Sequence, residues 1–330
     1  MQYYCTLFNA AYLSRGLAMY RSLEQHAKDF HLYIFAFDDD CYHVLGQLQL
    51  SHATIIPLKD FEDEELLGVK PTRTAGEYCW TCTPSSIWYC LHTYSLDHCT
   101  YIDADLLFFS DPEVLLDEMG DDSVLITAHR YSPRHDQSAL SGIYCVQFIT
   151  FKNNREGLET LGWWRRECIR WCYRRFEDGK FGDQKYLDDW PERFRRIHVL
   201  EHHGGGVAPW NNLEYDYEPK GNGVQVGLKD AAYPLVFYHY HDFKYCEQDI
   251  VRLTSHQYKL KKEVVNLIYR PYERALEAAE KEIRQRIGQA IVHEKPEPLS
   301  WIYGNTGRKL TFRLLGFYKN YFRRSRLNVR

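Results

Sequence analysis

Short apolar runs alternate with amphipathic helical patterns through the first hundred residues, and that alternation limits the fold more than any other feature. "QYYCTLF" reads as a strand, and "YLSRGLAMYRSLEQH" as a helix whose Leu13, Leu17 and Tyr20 recur at three and four residues. "FHLYIFAF" is a second strand, stopping at Asp38 to Asp40, and "HATIIPL" is a third. "TPSSIWYCLHTYSL" has the form of a helix with Thr83 as N-cap and Pro84 in its first turn. "CTYIDADLLFF" and "SGIYCVQFITF" supply further strands, and the following helix places Leu158, Leu161, Trp164, Cys168 and Cys172 on one stripe. Strands separated by helices predict an α/β fold, a mostly parallel sheet with both faces covered. From about Asp249 the pattern turns helical and charged, so residues 1–245 form the α/β unit and 246–330 a helical C-terminal region.

A 45% hydrophobic share is enough for a packed core in one large domain with an appendage. The net charge of −4 argues against a dedicated nucleic-acid binder. The start of the chain has no basic region followed by an apolar one, and no stretch reaches the roughly 18 apolar residues of a membrane span. Ten scattered cysteines read as reduced, buried thiols, so a cytoplasmic location is expected. Cys79 and Cys82 form one CxxC. A structural zinc needs a second pair, which is missing, and a redox pair is the other alternative. The last 24 residues carry eight basic and no acidic side chains. Leu310, Leu314, Phe317, Tyr318 and Tyr321 share one helical stripe, with Arg313, Lys319 and Arg323 opposite. This pattern suits an interfacial helix at the inner membrane face, a helix docked on the protein, or a flexible tail.

Within "TYIDADLLFFSDP", Asp103 and Asp105 stand two apart in an apolar run. Side chains at that spacing on a strand share one side, and the carboxyl end of a strand is where open α/β sheets bind ligands. Two carboxylates that close repel unless they share a cation, and Mg²⁺ or Mn²⁺ fits their oxygen chemistry. Downstream, "PLVFYHYHDFKY" ends an apolar run with His239 and His241 on one face. His239 is the candidate third ligand; satisfied core histidines are the alternative.

Together, "TLFNAAYLSRGLAMYRSL", "YIDADLLFF" and "HYH" resemble the metal-dependent GT-A nucleotide-sugar glycosyltransferases, nearest to lipopolysaccharide galactosyltransferases and glycogenin-like enzymes. "HRYSP", "GIYCVQFITF", "GKFGDQKYLDDWPERF" and "GGGVAPWN" extend the likeness over residues 1–245. The resemblance implies a Rossmann-like mixed sheet with helices on both faces. It implies Mn²⁺ or Mg²⁺ on Asp103, Asp105 and His239, with a nucleotide sugar, UDP-linked, as donor. Thr6, Asn9 and Tyr12 match the turn that holds uridine and ribose. Asp183 and Gln184 match the pair beside the donor sugar in retaining members, and a glycan or lipid-linked hydroxyl is the implied acceptor. The family's "HxxGxxKPW" ending is not kept: Asp242 replaces the glycine, and Lys244, the candidate diphosphate contact, is one position off. Ser86 stands where some members place a sugar-binding arginine.

Gly204 to Gly206 suit either a loop around the donor or a plain turn, and Trp210 either a sugar platform or core. An inverting enzyme needs a base, for which Asp183 and Asp188 are candidates. Two rivals remain. A haloacid dehalogenase-type phosphatase also places DxD after a strand, but it continues with Thr or Val where Leu107 stands. A non-catalytic sugar- or nucleotide-binding protein is the other.

Overall fold

The computed structural model describes residues 1–288, 290–299, 311 and 316–327. Its centre is a seven-stranded sheet of β1 (Gln2–Phe8), β2 (Phe30–Ala36), β3 (Ala53–Pro57), β4 (His98–Ile102), β6 (Val124–Ala128), β7 (Tyr144–Lys152) and β8 (Ile197–Val199). The order is β3-β2-β1-β4-β7-β6-β8. β7 pairs antiparallel with both β4 and β6, and the remaining pairs are parallel. This is the α/β architecture with a mixed sheet that the sequence predicts. Helices Leu13–His26 and Arg270–Ile287 cover one face, Ala75–Thr93 and Arg155–Arg170 the other.

Strand composition explains the double cover. Along β1, Tyr4 and Phe8 enter one core, and Cys5 and Leu7 enter the other. A strand buried on both faces reads as a continuous apolar run, as β1 does. The chain runs from β1 outward to β3, then crosses back to lay β4 against the other side of β1. The crevice at the carboxyl ends of β1 and β4 is therefore the topological switch point, where such sheets bind ligands.

Several local expectations change. The helix expected at Thr83 begins at Ala75, eight residues earlier. Thr74 is its N-cap, in a capping box with Glu77, whose carboxylate accepts from the Thr74 N–H at 2.9 Å. Pro84 lies inside this helix, and the buried Cys82, Ile87, Cys90 and Leu91 hold the turns on either side against the sheet. Burial pushes both thiols of the CxxC up, Cys79 to about 12, which removes the thiolate a redox pair requires. All ten cysteines are unpaired.

The region after Asp249 is not wholly helical. β13 (Lys244–Cys246), β14 (Ile250–Arg252) and β15 (Tyr321–Arg323) make a small antiparallel sheet. The C-terminal stripe divides at this point. Leu310, Arg313 and Leu314 lie outside the described residues. Tyr321 to Arg323 form a strand, and the next turn buries Leu327 and ion-pairs Arg324 with Glu273 and Glu280. Backbone pairing along β14 and two buried acids waiting for a cation outweigh the helical periodicity, so residues 321–327 dock on the protein. No helix among the described residues is long and apolar enough to cross a membrane.

Candidate functional site

β4 ends at Ile102, and Asp103 and Asp105 occupy the turn before β5 (Leu106–Phe108). β5 pairs antiparallel with β12 (Phe237–His239), with His239 opposite Leu106. The Tyr240 N–H donates to the Asp105 carbonyl at 3.0 Å, and the His239 N–H to the Val207 carbonyl at 2.9 Å. Two chain segments more than a hundred residues apart thus meet at fixed register. The ligand atoms of Asp103, Asp105 and His239 all lie within 4.8 Å of one another. His239 Nε2 is 3.2 Å from Asp105 Oδ1 and 3.7 Å from Asp103 Oδ2.

The other ring nitrogen decides whether these groups suit a cation. His239 Nδ1 lies 2.7 Å from Gln147 Oε1. With that oxygen as acceptor, Nδ1 carries the proton, and the Nε2 lone pair faces the two carboxylates. That arrangement is repulsive unless a positive charge sits between them. A proton does so when no metal is bound, and the acids lift the imidazole well above its ordinary range against its burial. A divalent cation fits the same place, with two carboxylate oxygens and one imidazole nitrogen, and Gln147 holds the imidazole in position through Nδ1. Burial raises the Asp103 carboxyl, whereas His239 and Arg15 outweigh burial and hold Asp105 low. Tyr101 donates to Asp103 Oδ1 at 3.0 Å.

The remaining predicted residues divide. Asp183 is buried, its carbonyl held by Trp164 Nε1 at 2.9 Å. Burial, and then the charge of Asp103, push its carboxyl up to about 7, so it lies within electrostatic reach of the trio. Gln184 donates through its amide to the Ser141 carbonyl at 2.7 Å. Asp188 is engaged by Lys185 at 2.8 Å and by the Ile143 N–H at 2.7 Å. Tyr12 stands beside the acids: burial raises its phenol, and Asp105, Glu294 and Asp103 add to that. Thr6 ends buried in β1 with an unpartnered hydroxyl. Asn9 precedes the turn that follows, where its carbonyl accepts from the Tyr12 N–H at 2.9 Å and its side chain makes no cap bond. Lys244 points at Glu294, with Nζ 3.9 Å from Oε1.

Trp210 is core and not a platform. It is buried, donates to the His129 carbonyl at 2.8 Å, and stands edge-on to His239 and His241. The glycine run serves backbone approach: a Cβ on Gly204 would meet the Pro234 carbonyl at 1.9 Å. That contact sets Val207 against β12 and so supports His239.

Gln147, Arg15 and Glu294 were not singled out from sequence. Gln147 carried a signal, as the one strongly polar side chain between Cys145 and Ile149 in an apolar strand. Gln147→Leu should leave the fold intact and weaken Mn²⁺ binding by ~10–100-fold, read by calorimetric titration, because the imidazole loses its orienting partner. Unchanged affinity would remove Gln147 from the site.

Fold and site together define an α/β protein that brings two aspartates and one histidine, a group able to hold a metal ion, together at the switch point of its sheet. The chain belongs to the family of two Bacillus subtilis (strain 168) proteins. It is 32% identical to the uncharacterized protein YfnD over 278 residues, which are 82% of this chain and 87% of YfnD. It is also 32% identical to the uncharacterized protein YfnF over 249 residues, 73% of this chain and 81% of YfnF. No protein-family model matches. Solved structures similar to the chain are glycosyltransferases. LgtC, a galactosyltransferase crystallised with donor and acceptor sugar analogues, has a TM-score of 0.46 at 10% identity, covering 86% of this chain and 96% of that one. GlyE of Streptococcus pneumoniae TIGR4 has a TM-score of 0.39 at 15% identity, covering 62% of this chain. The chain spans 46% of GlyE.

Proposed function

We propose that this protein is a metal-dependent glycosyltransferase that moves a sugar from a nucleotide diphosphate, UDP in the first instance, to a hydroxyl of a glycan or lipid-linked acceptor. The observation that carries the proposal is the convergence of Asp103, Asp105 and His239 Nε2 at the switch point, with His239 Nδ1 2.7 Å from Gln147 Oε1. Bound Mn²⁺ or Mg²⁺ would neutralise charge on the departing diphosphate. The chain's own residues do the rest. Asp103, Asp105 and His239 hold the cation, while Thr6, Asn9 and Tyr12 line the turn that receives the nucleoside.

Asp183 sits in the wall beside Asp103, with its carboxyl pushed up to about 7. Asp188 is already engaged by Lys185. A carboxyl poised at about 7 can accept a proton, so Asp183 fits the base of an inverting enzyme. It fits the far face of the sugar in retention equally well, where the leaving phosphate takes the acceptor's proton and Asp183 or Gln184 faces the oxocarbenium-like carbon. The family resemblance favours retention. Replacement of the metal by a nucleophilic role for Asp103, as in a phosphatase, would leave the His239 imidazole without a task.

The test is a thermal-shift panel of UDP-, GDP- and dTDP-sugars with and without Mn²⁺. One sugar nucleotide should stabilise the protein only with metal and be hydrolysed slowly, and EDTA should stop the hydrolysis. A panel with neither shift nor hydrolysis would sink the transferase reading.

A further inference from the structure

The segment Ala290–Leu299 crosses the outside of the first strand–helix turn. It is anchored on both sides of one charged residue. Upstream, Ser14 N–H donates to the Val292 carbonyl at 2.7 Å, and Val292 is buried. Downstream, Glu297 exchanges backbone hydrogen bonds with Tyr245 and Glu247, and Leu299 is buried against Cys246. Between the anchors, His293 stacks on Tyr245 at 3.9 Å, and Glu294 turns inward.

Glu294 meets two cations there. Both its oxygens engage the Arg15 guanidinium, Oε1 at 2.7 Å from Nη2 and Oε2 on Nη1, and Lys244 Nζ is 3.9 Å from Oε1. Arg15 is 1% exposed, lies 4.4 Å over the Tyr12 ring, and donates to the Phe243 carbonyl at 3.0 Å. A buried guanidinium that offers a two-pronged face is built for a carboxylate or a phosphate. A short chain of hydrogen bonds ties this group to the acidic trio: Arg15 donates to the Phe243 carbonyl, the Phe243 N–H to the Tyr240 carbonyl at 3.1 Å, and the Tyr240 N–H to the Asp105 carbonyl at 3.0 Å.

We propose that Arg15 and Lys244 form an anion site beside the acidic trio, that its resident occupant is the Glu294 carboxylate, and that a donor phosphate enters by displacing it. The proposal rests on the nucleotide-sugar reading above. A diphosphate held by the cation on Asp103 and Asp105 brings negative charge next to Glu294, and two anions cannot share one pair of cations at that range without repulsion. The anchors at Val292 and Glu297 allow Glu294 to swing out while the segment keeps its ends. Glu294 is then a built-in competitor that sets donor affinity and leaves the two cations when a donor binds, while the ends of the segment stay anchored.

Glu294→Gln keeps the side chain's size and removes its charge. Its dissociation constant for UDP with Mn²⁺, and for inorganic pyrophosphate with Mn²⁺, should fall about tenfold if the occupied state holds about nine molecules in ten. In the wild-type chain, amide hydrogen exchange across 292–298 should accelerate on addition of UDP and Mn²⁺. Equal or weaker binding by a folded Glu294→Gln protein overturns the proposal, as does slower exchange across 292–298. Should the variant fail to fold, the wild-type exchange result decides alone. If neither protein binds UDP or pyrophosphate with metal, the transferase reading falls and takes this one with it. Binding that the substitution leaves unchanged sinks this inference only.

Discussion

Asp105→Ala is expected to abolish metal-dependent nucleotide binding, lowering affinity for UDP with Mn²⁺ by at least ~100-fold while the fold persists. Losing a residue that only orients a metal ligand costs ~10–100-fold. Asp105 is in direct reach of the cation and carries the charge that keeps His239 aligned, 3.2 Å from Nε2. Its own carboxyl is held low, so it is ionised at neutral pH and supplies a full negative charge to the site. The backbone around it does not depend on the side chain, since the Tyr240 N–H is bonded to the Asp105 carbonyl oxygen. Calorimetric titration of Mn²⁺ and UDP into both proteins, beside far-UV circular dichroism, separates loss of binding from loss of fold. A folded variant that binds UDP and Mn²⁺ as the parent does would remove the trio from the mechanism.

The trio was legible because its two halves obey local rules. Spacing by two marked Asp103 and Asp105 as a pair, although β4 ends at Ile102 and the turn after it, not strand alternation, brings them together, and His239 closes another apolar run. Their meeting was not legible from physics alone, since β5 and β12 pair across more than a hundred residues; the family resemblance supplied it. The long parallel strands were readable for the same reason that they are buried on both faces. Thr83 was misread because Thr–Pro imitates a helix start, whereas the true start carries a quieter signal, Thr74 with Glu77 three residues on. Nothing in the helical pattern marks Arg15 as buried. Its partner Glu294 lies 279 positions away, beyond any periodicity. The basic C-terminus failed in the same way: its composition suits a membrane surface, but two acids inside the protein claim one of its arginines.

That claim gives the largest effect on stability. Arg324→Ala should cost about 3–5 kcal/mol, the range for stripping one partner from a buried ion pair. Arg324 reaches Glu280 at 3.0 and 3.3 Å and also engages Glu273, which is fully buried. Glu280 retains Tyr245 and the half-exposed Arg284 when Arg324 is gone; Glu273 is left without this partner. Burial pushes the Glu273 carboxyl up to about 7 even with Arg324 pulling it down. The sign follows. Between the ordinary carboxylate range and about pH 7 the folded chain binds more proton at Glu273 than the unfolded chain, so its contribution to stability falls as pH rises through that window. Without Arg324 the folded carboxyl holds its proton to still higher pH. The deficit of the variant should therefore be small near pH 5, where a neutral acid tolerates burial, and largest near pH 8. Urea midpoints for both proteins at pH 5 and pH 8 check this, and Arg324→Lys should recover part of the loss at pH 8. A tail that merely lies on a membrane surface predicts no change in either midpoint, and a deficit that stays level or shrinks from pH 5 to pH 8 would show that Glu273 does not titrate against Arg324 in the folded chain.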